Sequence, residues 1–205
     1  MPDISVLVGC EFSGTMRDAF ARQGFNSWSC DVLPDDDDSE FHLRMDIHKA
    51  LDFGHWDLVI LHPPCTALAV SGNRHYNEGK PKHKDRLRAM DWTRDLWDHA
   101  RNVCQHVALE NPVGVLKHVI GKASQYVQPY QFGHGETKRT GFWLWNLPKL
   151  TPTDEVDGRE QRMWLLPPSK DRWKIRSTTY TGIANACADQ WGSYVKEQLH
   201  EPSKR

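Results

Sequence analysis

The stretch "WDLVILHPPCTALAVSG", Trp56 to Gly72, decides how the rest of the chain is read. Five of the seven residues from Trp56 to His62 are apolar. An apolar run this short, closed by two prolines, reads as a buried strand rather than a helix. Pro63 and Pro64 end the strand, stiffen the loop behind it and leave Cys65 just past the strand end.

The same punctuation recurs upstream. "ISVLVG" (Ile4 to Gly9) is apolar and ends in glycine, and in "FSGTMRDAFARQGF" Met16, Ala19 and Phe20 follow at helical spacing. "NSWSCD" suggests a second strand ending at Asp31, and "HLRMDI" places Asp46 at a further strand end. Downstream, Leu87, Met90, Trp97, Ala100 and Cys104 recur at steps of three and four over residues 86–105, an amphipathic helix that leads into the strand "HVALEN". Alternation of strand and helix implies an α/β fold with a mostly parallel sheet, helices on both faces and ligands at the carboxyl ends of the strands. "GFWLWNLPKL" reads as another strand, and "GIANACADQWGSYVKEQL" returns to helical spacing through Ile183, Ala186, Cys187, Trp191 and Val195. Residues 147–180, with Pro148, Pro152, Pro167 and Pro168, read as irregular, and Asp35 to Asp38 as a solvated loop. The length of 205 residues predicts a single domain, 1–205.

Composition bounds the function. Lys plus Arg number 26 against 27 Asp plus Glu, so the chain is no polycation and any nucleic-acid contact must come from a local patch. Five cysteines, with no CxxC pair and no secretory signal, point to free thiols in a reducing compartment. No apolar run approaches the roughly 20 residues of a spanning helix. His99, Cys104 and His106 lack a second paired cluster, so no metal site is expected, and the nine tryptophans are read mainly as core.

The strand ends hold the candidates for chemistry. Gly9 and Gly14 flank Cys10 to Ser13, where a turn lets backbone approach a ligand and a helix start can face a carboxylate or phosphate. Asp31 stands where ribose hydroxyls are held in nucleotide-binding α/β folds, while Asp46 and Asp57 also fit helix caps. Cys65 is either a nucleophile, its thiolate favoured by His62 or a helix start, or a small buried filler. Glu110 and Asn111 follow the neighbouring strand, so a carboxyl group and a thiol could address one small substrate from two sides.

In this order, a glycine-containing first turn, "CD", "MDI", "HPPC", "LENP", "TKR" and a late "GIANA" resemble the cytosine-C5 DNA methyltransferases, and above all a group of small phage or prophage proteins. The resemblance covers residues 4–146 and resumes over 181–192; the first turn departs from FxGxG, and Thr66 stands where the family has glutamine. It implies a Rossmann-like class I methyltransferase fold and S-adenosylmethionine as cofactor. Gly9, Cys10, Glu11 and Gly14 would lie near its methionine part, Asp31 at the ribose, Asp46 at the adenine edge and Pro63 alongside. It further implies that Cys65 attacks C6 of a flipped-out cytosine, that protonated Glu110 holds N3 and the exocyclic amine, and that Arg139 contacts O2 and steadies the thiol. The implied partner is DNA, with RNA or a free nucleotide as alternatives, without a membrane or an obligate protein partner, in the cytoplasm of a bacterial or phage-infected cell. "HPPC" is also similar to the D/N/S-P-P-aromatic loop of exocyclic-amino methyltransferases, and a relative that has lost catalysis and serves as a regulatory DNA-binding module is a third reading.

Two basic segments are expected to hold nucleic acid. Arg74, Lys80, Lys82, Lys84, Arg86 and Arg88 follow the proposed nucleophile, with His75 and Tyr76 among them. Arg159, Arg162, Trp164, Lys170, Arg172, Trp173, Lys174 and Arg176 lie in 147–180, which stands in place of the family's separate target-recognition region. A segment this short predicts a context of one to three nucleotides around the target, or none.

Overall fold

Each central strand alternates between two packed faces, and this period of two builds the molecule outward from its sheet. The computed structural model describes residues 4–170 and 172–200. In chain order its elements are β1 (Ser5–Gly9), α1 (Thr15–Arg22), β2 (Asn26–Asp31), β3 (His42–Arg44), α2 (Ile47–Asp52), β4 (Leu58–Leu61), α3 (Asn73–Tyr76), α4 (His83–Val103), β5 (Val107–Pro112), β6 (Gln125–Val127), β7 (Thr140–Trp145), α5 (Arg162–Leu165), α6 (Arg172–Ser177) and α7 (Thr181–His200). The sheet order is β3-β2-β1-β4-β5-β7-β6, parallel throughout except for β7, which runs antiparallel to both β5 and β6. This is the expected Rossmann-like α/β fold.

Val6 and Val8 of β1, Leu58 and Ile60 of β4, Ala108 of β5 and Phe142 of β7 face α1 and α7, packing on Met16, Phe20, Ile183, Cys187 and Trp191. The residues between them, Leu7, Val59, Leu61, Val107, Leu109 and Trp143, face α2 and α4 and pack on Ile47, Leu51, Leu96, Trp97 and Cys104. Both faces are apolar because both are covered, which is why β4 reads as a continuous hydrophobic run. Cys30, Cys104 and Cys187 are buried free thiols of these cores.

Several expectations are corrected. Glu110 and Asn111 lie within β5, not after it. The parallel register with β4 stops at Leu61 opposite Leu109, while antiparallel pairing with β7 continues to Pro112 opposite Thr140. Asp57 caps no helix; its Oδ2 accepts a hydrogen bond from the Ser5 amide at 2.8 Å and ties β4 to the start of β1. The acidic tract is solvated as expected at Asp36, Asp37 and Asp38, but Asp35 turns inward. The buried Arg17 guanidinium donates to Asp35 at 3.1 Å and Asp37 at 2.8 Å, and such a charge is tolerated inside only when paired. Arg86 is likewise no phosphate ligand: it is 3% exposed and donates to the carbonyls of Ala67 (2.6 Å) and Ala69 and to the side chains of Asn73 and Asn77, holding the loop behind Cys65 against α4.

Residues 147–180 hold the two short helices α5 and α6 and are tied down at defined points. Single bridges join Phe132 to Asp154 and Glu136 to Glu160. Glu136 accepts from Arg162 at 2.8 Å and from the Tyr180 hydroxyl at 2.7 Å, and these bonds overcome the effect of its burial and hold its carboxyl below the usual range. The side chain of Trp164 lies outside the described residues.

Candidate functional site

The carboxyl ends of β1, β2, β4 and β5 open onto one side of the sheet, where two connected cavities lie. The larger, about 690 Å³, is walled by Cys10 and Phe12 after β1, Asp31 to Leu33 after β2, the Pro64–Thr66 turn, Arg74 to Tyr76 of α3, and Arg172, Trp173 and Arg176 of α6. The smaller, about 60 Å³, is reached past Cys65 and His62 and is closed by Glu11, Glu110, Asn111, Lys138 and the segment Arg176–Thr179. Cys10, His62 and Cys65 belong to both.

Local backbone fixes this arrangement. Cys10 takes a left-handed φ of 60°, costly for a non-glycine residue, at the sharp turn where the chain leaves the sheet. Gly9 before it has no room for a Cβ, which would stand 2.4 Å from Ile47 Cδ1. Behind Cys65 the chain turns at once: its carbonyl accepts from the amides of Leu68 (3.0 Å) and Ala69 (2.8 Å). Asn111, 1% exposed, donates from Nδ2 to the Pro63 carbonyl at 2.8 Å and braces the cysteine loop against the end of β5. Two antiparallel bonds, Val70 N–H to Val113 O (2.9 Å) and Val115 N–H to Leu68 O (3.0 Å), add a second brace.

The charges are unevenly placed. His62 Nδ1 lies 3.3 Å from Glu110 Oε2. Burial would raise the Glu110 carboxyl, but the His62 hydrogen bond and charge, with help from Lys138, bring it below its ordinary range. The Cys65 thiol is pushed up by burial and next by the Glu110 charge, while Lys138 and Arg176 pull the other way. Glu11 is raised, burial outweighing His62 and two backbone amides. Those amides, Met16 N–H (2.6 Å) and Arg17 N–H (3.2 Å), give Glu11 the start of α1. The position read as open to a ligand's carboxylate or phosphate is therefore filled from within the chain.

Of the other sequence candidates, Asp31 lines the large cavity and Pro63 the small one. Gly14 sits at the α1 N-cap with φ 67°, a left-handed turn rather than a cavity wall. Asp46 caps α2, accepting from the His48 amide at 2.9 Å, and is not in the cavity wall. Arg139 is exposed and lies over the Tyr126 ring, 4.4 Å from its centroid. Lys138 enters the small cavity in its place, because neighbouring residues of an extended segment point to opposite sides. Arg74 and Arg172 line the large cavity, whereas Lys80, Lys82 and Lys84 are exposed outside it. Lys174 pairs with Asp36 beside the Phe12 ring.

Sequence reasoning did not single out Phe12, Val32, Leu33 or Lys138. Val32 and Leu33 had a signal: an apolar pair directly after a strand-end aspartate and before proline, 66% and 41% exposed in the fold. Phe12 had none, since its partner Trp173, with ring centroids 5.4 Å apart, is 161 positions away in sequence.

No family model and no curated protein sequence matches the chain. Among solved structures it is similar to the Entamoeba histolytica methyltransferase EhMeth, at 14% identity over 76% of this chain and 58% of that one, with a TM-score of 0.48. It is also similar to the S. pombe Dnmt2 methyltransferase, at 14% identity over 79% of this chain and 54% of that one, with a TM-score of 0.47. The chain spans little more than half the length of either protein. Among the described residues, no helix is long and apolar enough to cross a membrane, and no cluster of three or more His, Cys, Asp or Glu could hold a metal ion.

Proposed function

We propose that this protein is an S-adenosylmethionine-dependent methyltransferase acting on C5 of cytosine in DNA, with Cys65 as nucleophile. The observation that carries the reading is the meeting of Cys65, just past β4, and Glu110, within the neighbouring β5, on a small cavity that shares Cys10, His62 and Cys65 with a much larger one. The larger cavity fits the cofactor in its chemistry: a carboxylate, Asp31, for ribose hydroxyls, and exposed Val32 and Leu33 for an aromatic base. When bound, S-adenosylmethionine supplies an electrophilic methyl group.

The protein's own residues then divide the work. Cys65 adds to C6 of a base turned out of its stack, and Glu110 donates to N3, drawing charge from the ring so that C5 becomes nucleophilic. Lys138 takes the place expected of Arg139, its ammonium favouring the thiolate. Loss of the C5 proton to a solvent base then breaks the C6–S bond and releases Cys65 as the thiolate. Asn111 sets the spacing of thiol and carboxyl group by bracing one loop on the other.

Arg74 on one side of the large cavity, and Arg172 and Arg176 on the other, supply a local positive lining despite a net charge of -1. This lining supports a nucleic-acid partner. Modification at many sequence contexts is expected, since 147–180 offers few side chains for base edges.

The test is nucleoside mass spectrometry and bisulfite sequencing of DNA treated with the purified protein and methyl-labelled cofactor. Wild type is expected to label C5, and Cys65→Ala to label nothing while still binding cofactor in calorimetry. A label on an exocyclic nitrogen, or undiminished transfer by Cys65→Ala, removes the C5 mechanism.

A further inference from the structure

His62 is the residue before the two prolines, and its side chain is only 9% exposed. Its Nδ1 contacts Glu110 Oε2 at 3.3 Å, so a proton must lie between them, on the ring nitrogen or on the carboxyl oxygen, because two lone pairs would otherwise face each other. Its Nε2 is buried without a hydrogen-bond partner among the described residues. A buried imidazole with one nitrogen on a carboxylate and the other unmatched is unusual, since buried polar atoms are normally paired.

The surroundings sharpen the point. From the β1–α1 turn, Glu11 and Cys10 line the same cavity; from the loop after β4, Cys65; from β5, Glu110; from the segment before β7, Lys138; and from α6, Arg176. Two carboxyl groups thus share the cavity with one histidine. Glu110 in the free protein is held ionised, yet a carboxylate cannot donate to the unprotonated N3 of cytosine. A proton must reach it when the base arrives, and His62 is the titratable group hydrogen-bonded to the oxygen that needs it.

Resting on the reading of Cys65 and Glu110 given above, we propose that His62 is a positioning residue that supplies the proton Glu110 uses to hold the base. The Nδ1–H bond of the imidazolium breaks, an O–H bond forms on Glu110 Oε2, and the ion pair becomes a neutral pair. No charge is created among these buried groups, where an unpaired one is expensive. On product release the proton returns to Nδ1.

The test reads exchange of the cytosine C5 hydrogen with solvent in the absence of methyl donor, on a cytosine-containing oligonucleotide, for wild type, His62→Asn and His62→Gln. Asn can keep a donor near the Nδ1 position but carries no transferable proton. Both variants are expected to exchange at least tenfold more slowly than wild type at pH 8, and to recover as the pH is lowered and Glu110 takes its proton from water. The urea unfolding midpoint of both variants should stay close to that of wild type, which separates a loss of exchange from a loss of fold. Wild-type exchange and pH profile in His62→Asn would overturn the proposal, since a hydrogen bond alone would then suffice. A loss in both variants that acid does not relieve overturns it as well. If wild type neither exchanges C5 hydrogen nor methylates C5, the C5 reading itself fails and takes the proposal with it, whereas an active wild type with unaltered variants sinks the proposal alone.

Discussion

Gly114→Ala is the perturbation that best tests how the site is assembled. Gly114 has φ −173°, an extended conformation open to any residue, so the substitution introduces no backbone strain. Its effect is purely one of space. A Cβ there would lie 2.0 Å from Leu68 O, 2.8 Å from Leu68 C and 2.9 Å from Ala69 Cα, all backbone atoms of the turn that follows Cys65. No side chain can swing aside. To reach even 3.0 Å the turn must retreat by about 1 Å, enough to break the bonds between Val70 and Val113 and between Val115 and Leu68. At about 0.5–1.5 kcal/mol for each bond, with a further cost for amides left unpaired, urea unfolding should show a loss of about 2–4 kcal/mol. The same retreat moves Cys65 relative to Glu110, and a misplacement of about 1 Å at a reacting centre costs on the order of 100-fold in rate. Gly54→Ala is the control, for its Cβ would meet nothing within 4 Å, and a change within about 0.5 kcal/mol is expected. A Gly114→Ala protein with an unchanged unfolding midpoint and turnover within twofold of wild type would refute this account of how the two strand ends are held together.

Asp35 accepts from the Ser39 amide and from buried Arg17; these bonds outweigh burial and hold its carboxyl below the aspartate range. A depressed folded-state value means that its stabilisation is complete above the unfolded value of about 4 and is lost as pH falls through the lower folded value. Asp35→Asn should therefore lower stability at neutral pH and flatten the acid limb of the stability curve below about pH 4; an unaltered limb in urea titrations would assign the acid loss elsewhere. Charge reversal of exposed Lys82 and Lys84 should raise KM for DNA and lower the salt slope of binding by about 0.9 for each phosphate no longer neutralised. An unchanged slope would place the backbone along Arg74 and Arg172 instead.

How much was legible in the sequence follows from the range over which each signal acts. Strand and helix order, the two-faced core and the position of Cys65 past a strand end depend on periodicity and punctuation within a dozen residues, so β1, β2, β4, β5 and the helices α1, α4 and α7 could be read directly, whereas the extension of β5 through Glu110 is set by its pairing with β7. The three-residue β6 is too short to show a period at all. Which residue of the "TKR" segment enters the cavity was set by pairing across the sheet: β7 fixes Thr140 opposite Pro112, and from that register Lys138 and not Arg139 points inward. That Asp35 turns inward from an otherwise exposed acidic tract was not legible, because its partner, Arg17, lies 18 residues earlier, on a helix whose side chains the sequence alone does not orient toward it.

By itself the sequence determined the layered α/β fold and assigned a thiol and a carboxyl group to neighbouring strands, because hydrophobic alternation and proline placement are local properties of the chain. Only the tertiary structure decided what surrounds them. It gave the start of α1 to Glu11, put the imidazole of His62 on Glu110, and closed the cavity with Arg176 from the far end of the chain. These are contacts between distant segments, and their physical cause is the packing of the folded core, which no local pattern encodes.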